Sequence, residues 1–131
     1  MIPTATEVPL DEAGQRDALR VEIDPSQAIC CYWPSPGGSS TSLPLLNLSV
    51  AGVALNADAE LPATTDMLSN CRITLPSAGD IVVDLQVCQL TPLPQGDWRV
   101  GCRFVDLAPQ TERLIQTWIF REQRQRLGRQ P

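Results

Sequence analysis

Apolar and polar residues alternate along most of this chain, with the two-residue period of half-buried strands rather than the longer period of helices. Leu19, Val21 and Ile23 stand against Arg20, Glu22 and Asp24, which predicts a strand with Arg20 pointing away from the core. The apolar run Ala28 to Trp33 reads as a further strand or as the continuation of the first beyond a bulge. Further strands are predicted at 41–48, 51–57, 70–75, 80–90 and 97–106. The clearest pattern sets Ile81, Val83, Leu85 and Val87 against Asp84 and Gln86, and Trp98, Val100, Cys102 and Phe104 against Arg99 and Arg103. Those two strands are predicted to pair as a hairpin across residues 91–96. Pro44 lacks a backbone donor, so the strand at 41–48 should lie on an edge or begin after it. Short strands separated by Pro, Gly, Ser and Asp clusters predict a barrel or a sandwich.

Past Leu107 the period lengthens. Pro109 fits the first position of a helix, Glu112 its positive end, and Arg121, Arg124 and Arg126 its negative end. Leu114, Ile115, Trp118 and Ile119 form one apolar stripe that must cover the barrel or a partner. Beyond Glu122 the stripe stops, and Gln123 to Pro131 reads as a solvated, basic tail. At the other end, residues 1–14 hold two prolines, several acids and no periodicity, the signature of a flexible lead or the end of a linker.

With 131 residues, 43% of them apolar, the chain fits one domain with one core, and no apolar run is long enough for a membrane span. The net charge is −5, which opposes non-specific binding to DNA, and any anionic ligand must be held locally. All ten basic residues are arginine. Arg16 and Arg20 stand among Asp11, Glu12, Asp17, Glu22 and Asp24, a setting that points to geometry rather than bulk charge. Five cysteines without a C-x-x-C pair fit reduced, partly buried thiols of a cytoplasmic protein acting as small hydrophobes.

The composition also excludes chemistry. Without histidine there is no usual hydrolase triad, and without lysine there is no Schiff base or Walker loop. No zinc-ligand spacing is present, and the acids form no distinctive pair, so the chain does not read as an enzyme.

Two motifs remain. Leu45 to Leu55 is a pair of short apolar strand segments meeting at a polar bend, with Asn47 and Ser49 able to leave the ladder for local or ligand hydrogen bonds. Gly52 removes a side chain where the backbone turns or something comes close. Upstream lie Arg16 and Arg20, four residues apart. Taken singly, the arginines are a solvated pair and the Asn47–Gly52 segment a turn. Together, in this order and in a chain of this size, the two motifs resemble the PilZ domain family, whose members bind the bacterial messenger cyclic di-GMP. The resemblance extends over residues 15–127, leaving 128–131 as a tail, because Gly101 to Leu107 followed by a helix also looks like the family's ending. The segment Glu112 to Arg121 is most similar to that of flagellar-brake members.

The resemblance implies an all-β fold with a C-terminal helix, namely a six-stranded antiparallel barrel. It implies binding of cyclic di-GMP and signalling to a protein partner in the flagellar motor, the pilus or polysaccharide synthesis. By position, Arg16 and Arg20 would clamp phosphate and guanine, while Asn47, Ser49 and Gly52 would bind the other side of the ligand. The chemistry is apt: the guanidinium fork pairs bidentately with phosphate or with guanine O6 and N7, and its flat face stacks on a base. The Asn47 carbonyl and Ser49 hydroxyl can accept from guanine N1 and N2, and Gly52 would leave room for base or sugar. Many flagellar-brake members carry an additional arginine before the motif where this chain has Gln15, a difference that bears on ligand stoichiometry. A second reading keeps the fold without the ligand, as an interaction adaptor acting through the Trp118 stripe and the basic helix end.

Overall fold

The computed structural model describes residues 20–34, 40–58 and 66–129. Among the described residues seven strands, all paired antiparallel, carry the fold: β1 (Arg20–Glu22), β2 (Cys30–Pro34), β3 (Ser40–Ser49), β4 (Gly52–Ala57), β5 (Met67–Leu75), β6 (Gly79–Pro92) and β7 (Trp98–Val105). A single helix among the described residues, α1 (Pro109–Arg129), follows them. The hydrogen-bonded order β3-β2-β5-β6-β7-β4 closes on itself through β3–β4 pairing, giving a six-stranded barrel. Closure removes the exposed edges that an open sheet of this size would present.

The seventh strand is a half-strand. β1 and β2 pair with consecutive parts of β3, and Ile23 N–H bonds to Leu46 O (2.9 Å) just before the break while Leu45 N–H bonds to Ile29 O (2.9 Å) just after it. The first strand is thus interrupted by an inserted 3₁₀ turn, Pro25–Gln27, which decides the open question about Ala28 to Trp33 in favour of continuation. Asp24 caps that turn by accepting from Ser26 N–H (2.9 Å), and Gln27 Oε1 accepts from Asp24 N–H in return (2.9 Å). The Ser26 bond holds the Asp24 carboxyl below the usual carboxylate range.

The remaining strands fall where the alternation predicts them, and β6 and β7 pair as the expected hairpin, with Asp84 opposite Val105 and Pro92 opposite Trp98. Pro44 lies within β3, neither before it nor on a fully open edge. It is tolerated because Leu45 turns its N–H toward β2, so that the nitrogen of residue 44 faces the side where pairing with β4 stops at Leu45.

Ile81, Val83, Leu85, Val87, Val100 and Phe104 point inward and are buried, as the period-two pattern requires. Over them lies α1. It begins at Pro109 as expected, and Ile115, Trp118 and Ile119 are buried in the same core, Trp118 being 1% exposed with Nε1 donating to Pro76 O at 2.9 Å. The apolar stripe therefore covers the barrel at the β5–β6 turn and is not available as the docking face of an adaptor. The helix also runs on to Arg129, where the end of the stripe predicts a tail from Gln123. Its last turns are held by polar contacts to the first strand rather than by apolar burial. Among the described residues, no helix is long and apolar enough to cross a membrane.

All five thiols are free; Cys31, Cys71 and Cys102 are buried, Cys30 is half-buried and Cys88 is exposed, so the expectation of burial fails at Cys88. The hydrogen bond with Cys71, reinforced by burial, pushes the Cys31 thiol up and the Cys71 thiol down, and Cys71 Sγ lies 3.3 Å from Leu68 O, to which it can donate. Burial likewise pushes Cys102 up to about 12 from the ordinary 9.0. Stability contributed by the protonated Cys102 is whole below pH 9.0 and is lost as pH rises toward about 12, because the unfolded chain releases that proton first. An aromatic disulfide reagent at pH 8 should label Cys88 rapidly in the folded protein, with Cys31, Cys71 and Cys102 reacting only after denaturation. Equal rates for all five would contradict this packing.

Candidate functional site

Strict alternation from Leu45 would turn Asn47 and Ser49 into the core. It does not hold, because the register of β3 against β4 shifts between Leu45 and Asn47: Leu45 faces Leu55, but Asn47 faces Ala54 and Leu48 faces Val53. This bulge at Leu46 reverses the phase, so Leu48 enters the core and Asn47 and Ser49, although only 6% and 8% exposed, line the cleft on the outer side. A second bulge in β6, between Val87 and Gln89, brings Gln89 out opposite Gly101 by the same device. Both bulges border one cleft.

The cleft, about 390 Å³, is lined by Arg20, Asn47, Ser49, Gly52, Ala54, Gln89, Arg99, Gly101 and Arg103, with Cys88 among the rest. The registers generate it row by row. Arg20 lies opposite Ser49 and Glu22 opposite Asn47; Asn47 opposes Ala54; Ala54 opposes Gly101; Gly52 opposes Arg103. The centre of the wall is thus built of small residues, Ala54 and Gly101, and its rim of long cationic ones. Arg99 and Arg103 stand four residues apart on one face of β7, about 13 Å along an extended strand. Among the described residues, no carboxylate lines the cleft, although the chain carries a net charge of −5. Arg20, Arg99 and Arg103 thus give this wall a cationic rim.

Of the expected site residues, Arg20, Asn47, Ser49 and Gly52 come together here, while Arg16, like Gln15, lies outside the described residues. Two of the four have local duties. The Ser49 hydroxyl accepts from Ala51 N–H (3.0 Å) and Gly52 N–H (3.1 Å) and donates to Gly52 O (3.3 Å), so it ties the bend between β3 and β4. Replacing Ser49 with alanine leaves two buried or half-buried donors without that acceptor, and urea unfolding should show a loss of about 1–3 kcal/mol. The absence of a side chain at Gly52 also has a cause within the fold. A Cβ there would stand 2.0 Å from Cys102 O and 2.8 Å from Arg103 Cα, so glycine is what lets β4 and β7 close the barrel. Gly52→Ala should cost about 1–3 kcal/mol by forcing those backbones apart, read as a fall in Tm; an unchanged Tm would refute the close approach.

Sequence reasoning placed Arg99 and Arg103 on the outward face of their strand but did not join them to the motif. The signal was present in their spacing, an arginine pair on one face flanking Gly101. Gln89 carried no signal, because its outward orientation depends on the bulge at Cys88.

A closed antiparallel barrel with a C-terminal helix, bearing an arginine-rimmed polar cleft on its outer wall, defines a small β-barrel domain with a cationic surface cleft. The chain belongs to the PilZ domain family, whose profile matches residues 15–121. It is 31% identical to the flagellar brake protein YcgR of Azoarcus sp. (strain BH72), over 88% of this chain and 49% of that protein. The chain spans about half the length of the curated relatives it matches. Among solved structures, the PilZ domain of YcgR from Escherichia coli with c-di-GMP superposes with a TM-score of 0.71 at 19% identity, covering 85% of this chain and 95% of that one. The K. pneumonia MrkH–c-di-GMP complex gives 0.77 at 16% identity, over 85% and 53%.

Proposed function

We propose that this chain is a cyclic di-GMP receptor domain that binds the messenger in the arginine-rimmed cleft and passes the signal to a protein partner, without catalysis of its own. The observation that carries the reading is the register pair Arg20–Ser49, which sets the second arginine of the upstream motif directly against the Asn47–Ser49–Gly52 wall. Cyclic di-GMP offers two phosphates and two guanine Hoogsteen edges, and guanidinium groups satisfy both bidentately. Arg99 and Arg103 extend the cationic rim, and Ala54 with Gly101 gives a floor of small residues on which a flat base can rest. Asn47 offers the amide that guanine N1 and N2 donors require, with Arg16 arriving from the upstream segment.

The output in this reading is restraint of motility in the bacterial cytoplasm through a flagellar partner, supported by the likeness to proteins named flagellar brakes. Isothermal calorimetry of the whole chain with cyclic di-GMP tests the receptor role and gives the stoichiometry. Saturable binding in the micromolar range or tighter is expected, and no heat at tens of micromolar ligand would overturn the proposal.

A further inference from the structure

The second half of α1 grips the strand that carries Arg20. Ile23 N–H bonds to Leu46 O, so Val21 and Ile23 turn their backbone groups toward β3, while Arg20 and Glu22 turn theirs to the outer edge. Both outer carbonyls are taken by α1: Gln123 Nε2 donates to Arg20 O at 3.2 Å and Arg126 Nη2 to Glu22 O at 2.6 Å. Gln27 of the 3₁₀ turn joins the same cluster, its Nε2 donating to Glu122 Oε1 at 3.1 Å and its Oε1 accepting from Arg126 Nη2 at 3.4 Å.

The contrast along the helix is physical. Ile115, Trp118 and Ile119 anchor the first half in the core, whereas none of the described residues beyond Ile119 is buried, and β1 with Gln123, Arg126 and Leu127 lines a hollow of about 400 Å³. Polar, solvent-accessible contacts of this kind open at far lower free energy than a packed core. The helix end can let go while its base stays. Any displacement of β1 as Arg20 closes on an anion must pass through these bonds, because they hold the same backbone on its other edge.

We propose that Gln123 and Arg126 are positioning residues for Arg20, and that occupancy of the arginine cleft is coupled through β1 to order in the last two turns of α1. The inference rests on the receptor reading above and names the element that reports occupancy. Coupling of this kind is reciprocal: whatever factor the helix contacts contribute to ligand affinity, the ligand returns to the stability of the helix end.

The test uses the full chain and cyclic di-GMP. Arg126→Met and Gln123→Leu should each weaken binding about fivefold or more, with Arg126→Lys recovering most of the loss because an ammonium can still reach Glu22 O. In the Arg20→Ala background the same substitutions should have little further effect. Amide exchange at residues 123–127 should slow on ligand addition in the natural chain by a similar factor, and not in Arg20→Ala. If the natural chain fails to bind cyclic di-GMP, the receptor reading itself falls. If it binds but the helix variants retain full affinity, if their losses add to that of Arg20→Ala, or if exchange at 123–127 ignores the ligand, the coupling is refuted while the receptor reading stands.

Discussion

Alanine at both Arg16 and Arg20 is expected to abolish measurable binding of cyclic di-GMP while leaving the barrel folded. Each substitution removes a planar, bidentate, charge-assisted contact, worth about 1–3 kcal/mol against phosphate or guanine. If both contribute independently, the combined loss reaches about 2–6 kcal/mol, and a micromolar isotherm moves out of range. The effect on folding should be small, because Arg20 is exposed on the barrel wall and surface substitutions usually fall within about 0.5 kcal/mol. Calorimetry paired with thermal melts separates the two quantities. Retained affinity in the double variant would move the anion site away from this wall. A lysine at position 20 should recover only part of the binding, since it keeps the charge but loses the fork and the flat face.

Trp118→Ala is expected to give the largest loss of stability of any single change considered. The indole is 1% exposed between α1 and the end of the barrel, and truncating a buried Trp or Phe to alanine costs about 3–5 kcal/mol through lost transfer energy and the cavity left behind. Pro76 O loses its indole donor as well. For a chain of this size the melting temperature should fall by roughly 10–20 °C. Trp118→Phe keeps most of the volume and should cost about 1–2 kcal/mol, the difference reporting the hydrogen bond and the residual cavity. A loss below about 1 kcal/mol for the alanine variant would mean that the helix does not seal the core, and would restore Trp118 as a candidate docking residue.

Both results bear on how much could be read without coordinates. The hairpin β6–β7 was legible because its inward faces are apolar throughout and its outward faces, Val82 and Gly101 aside, are mostly polar, a pattern that one strand phase satisfies far better than the other. The helix start at Pro109 was equally plain. In Leu45-Leu46-Asn47-Leu48, by contrast, apolar residues occupy both phases, so the pattern does not say which of them faces in. The bulge at Leu46 resolves that, and with it the orientation of Asn47 and Ser49. Gln89 was invisible for the same reason at Cys88. The helix end was misjudged because its partners are not apolar: Arg126 and Gln123 are held by carbonyls of β1, and a search for an apolar stripe cannot detect backbone edges that need donors.

Local patterning by itself determined the strands, the helix with its buried stripe, and the family to which the two motifs point, since period, turn chemistry and motif order are properties of neighbouring residues. Tertiary structure alone decided which side chains share a wall. Arg20, Asn47, Ala54, Gly101 and Arg103 come from four strands, and only barrel closure, two single-residue bulges and the missing Cβ of Gly52 bring them into register. Those are constraints of backbone geometry between distant segments, and no stretch of the chain contains them.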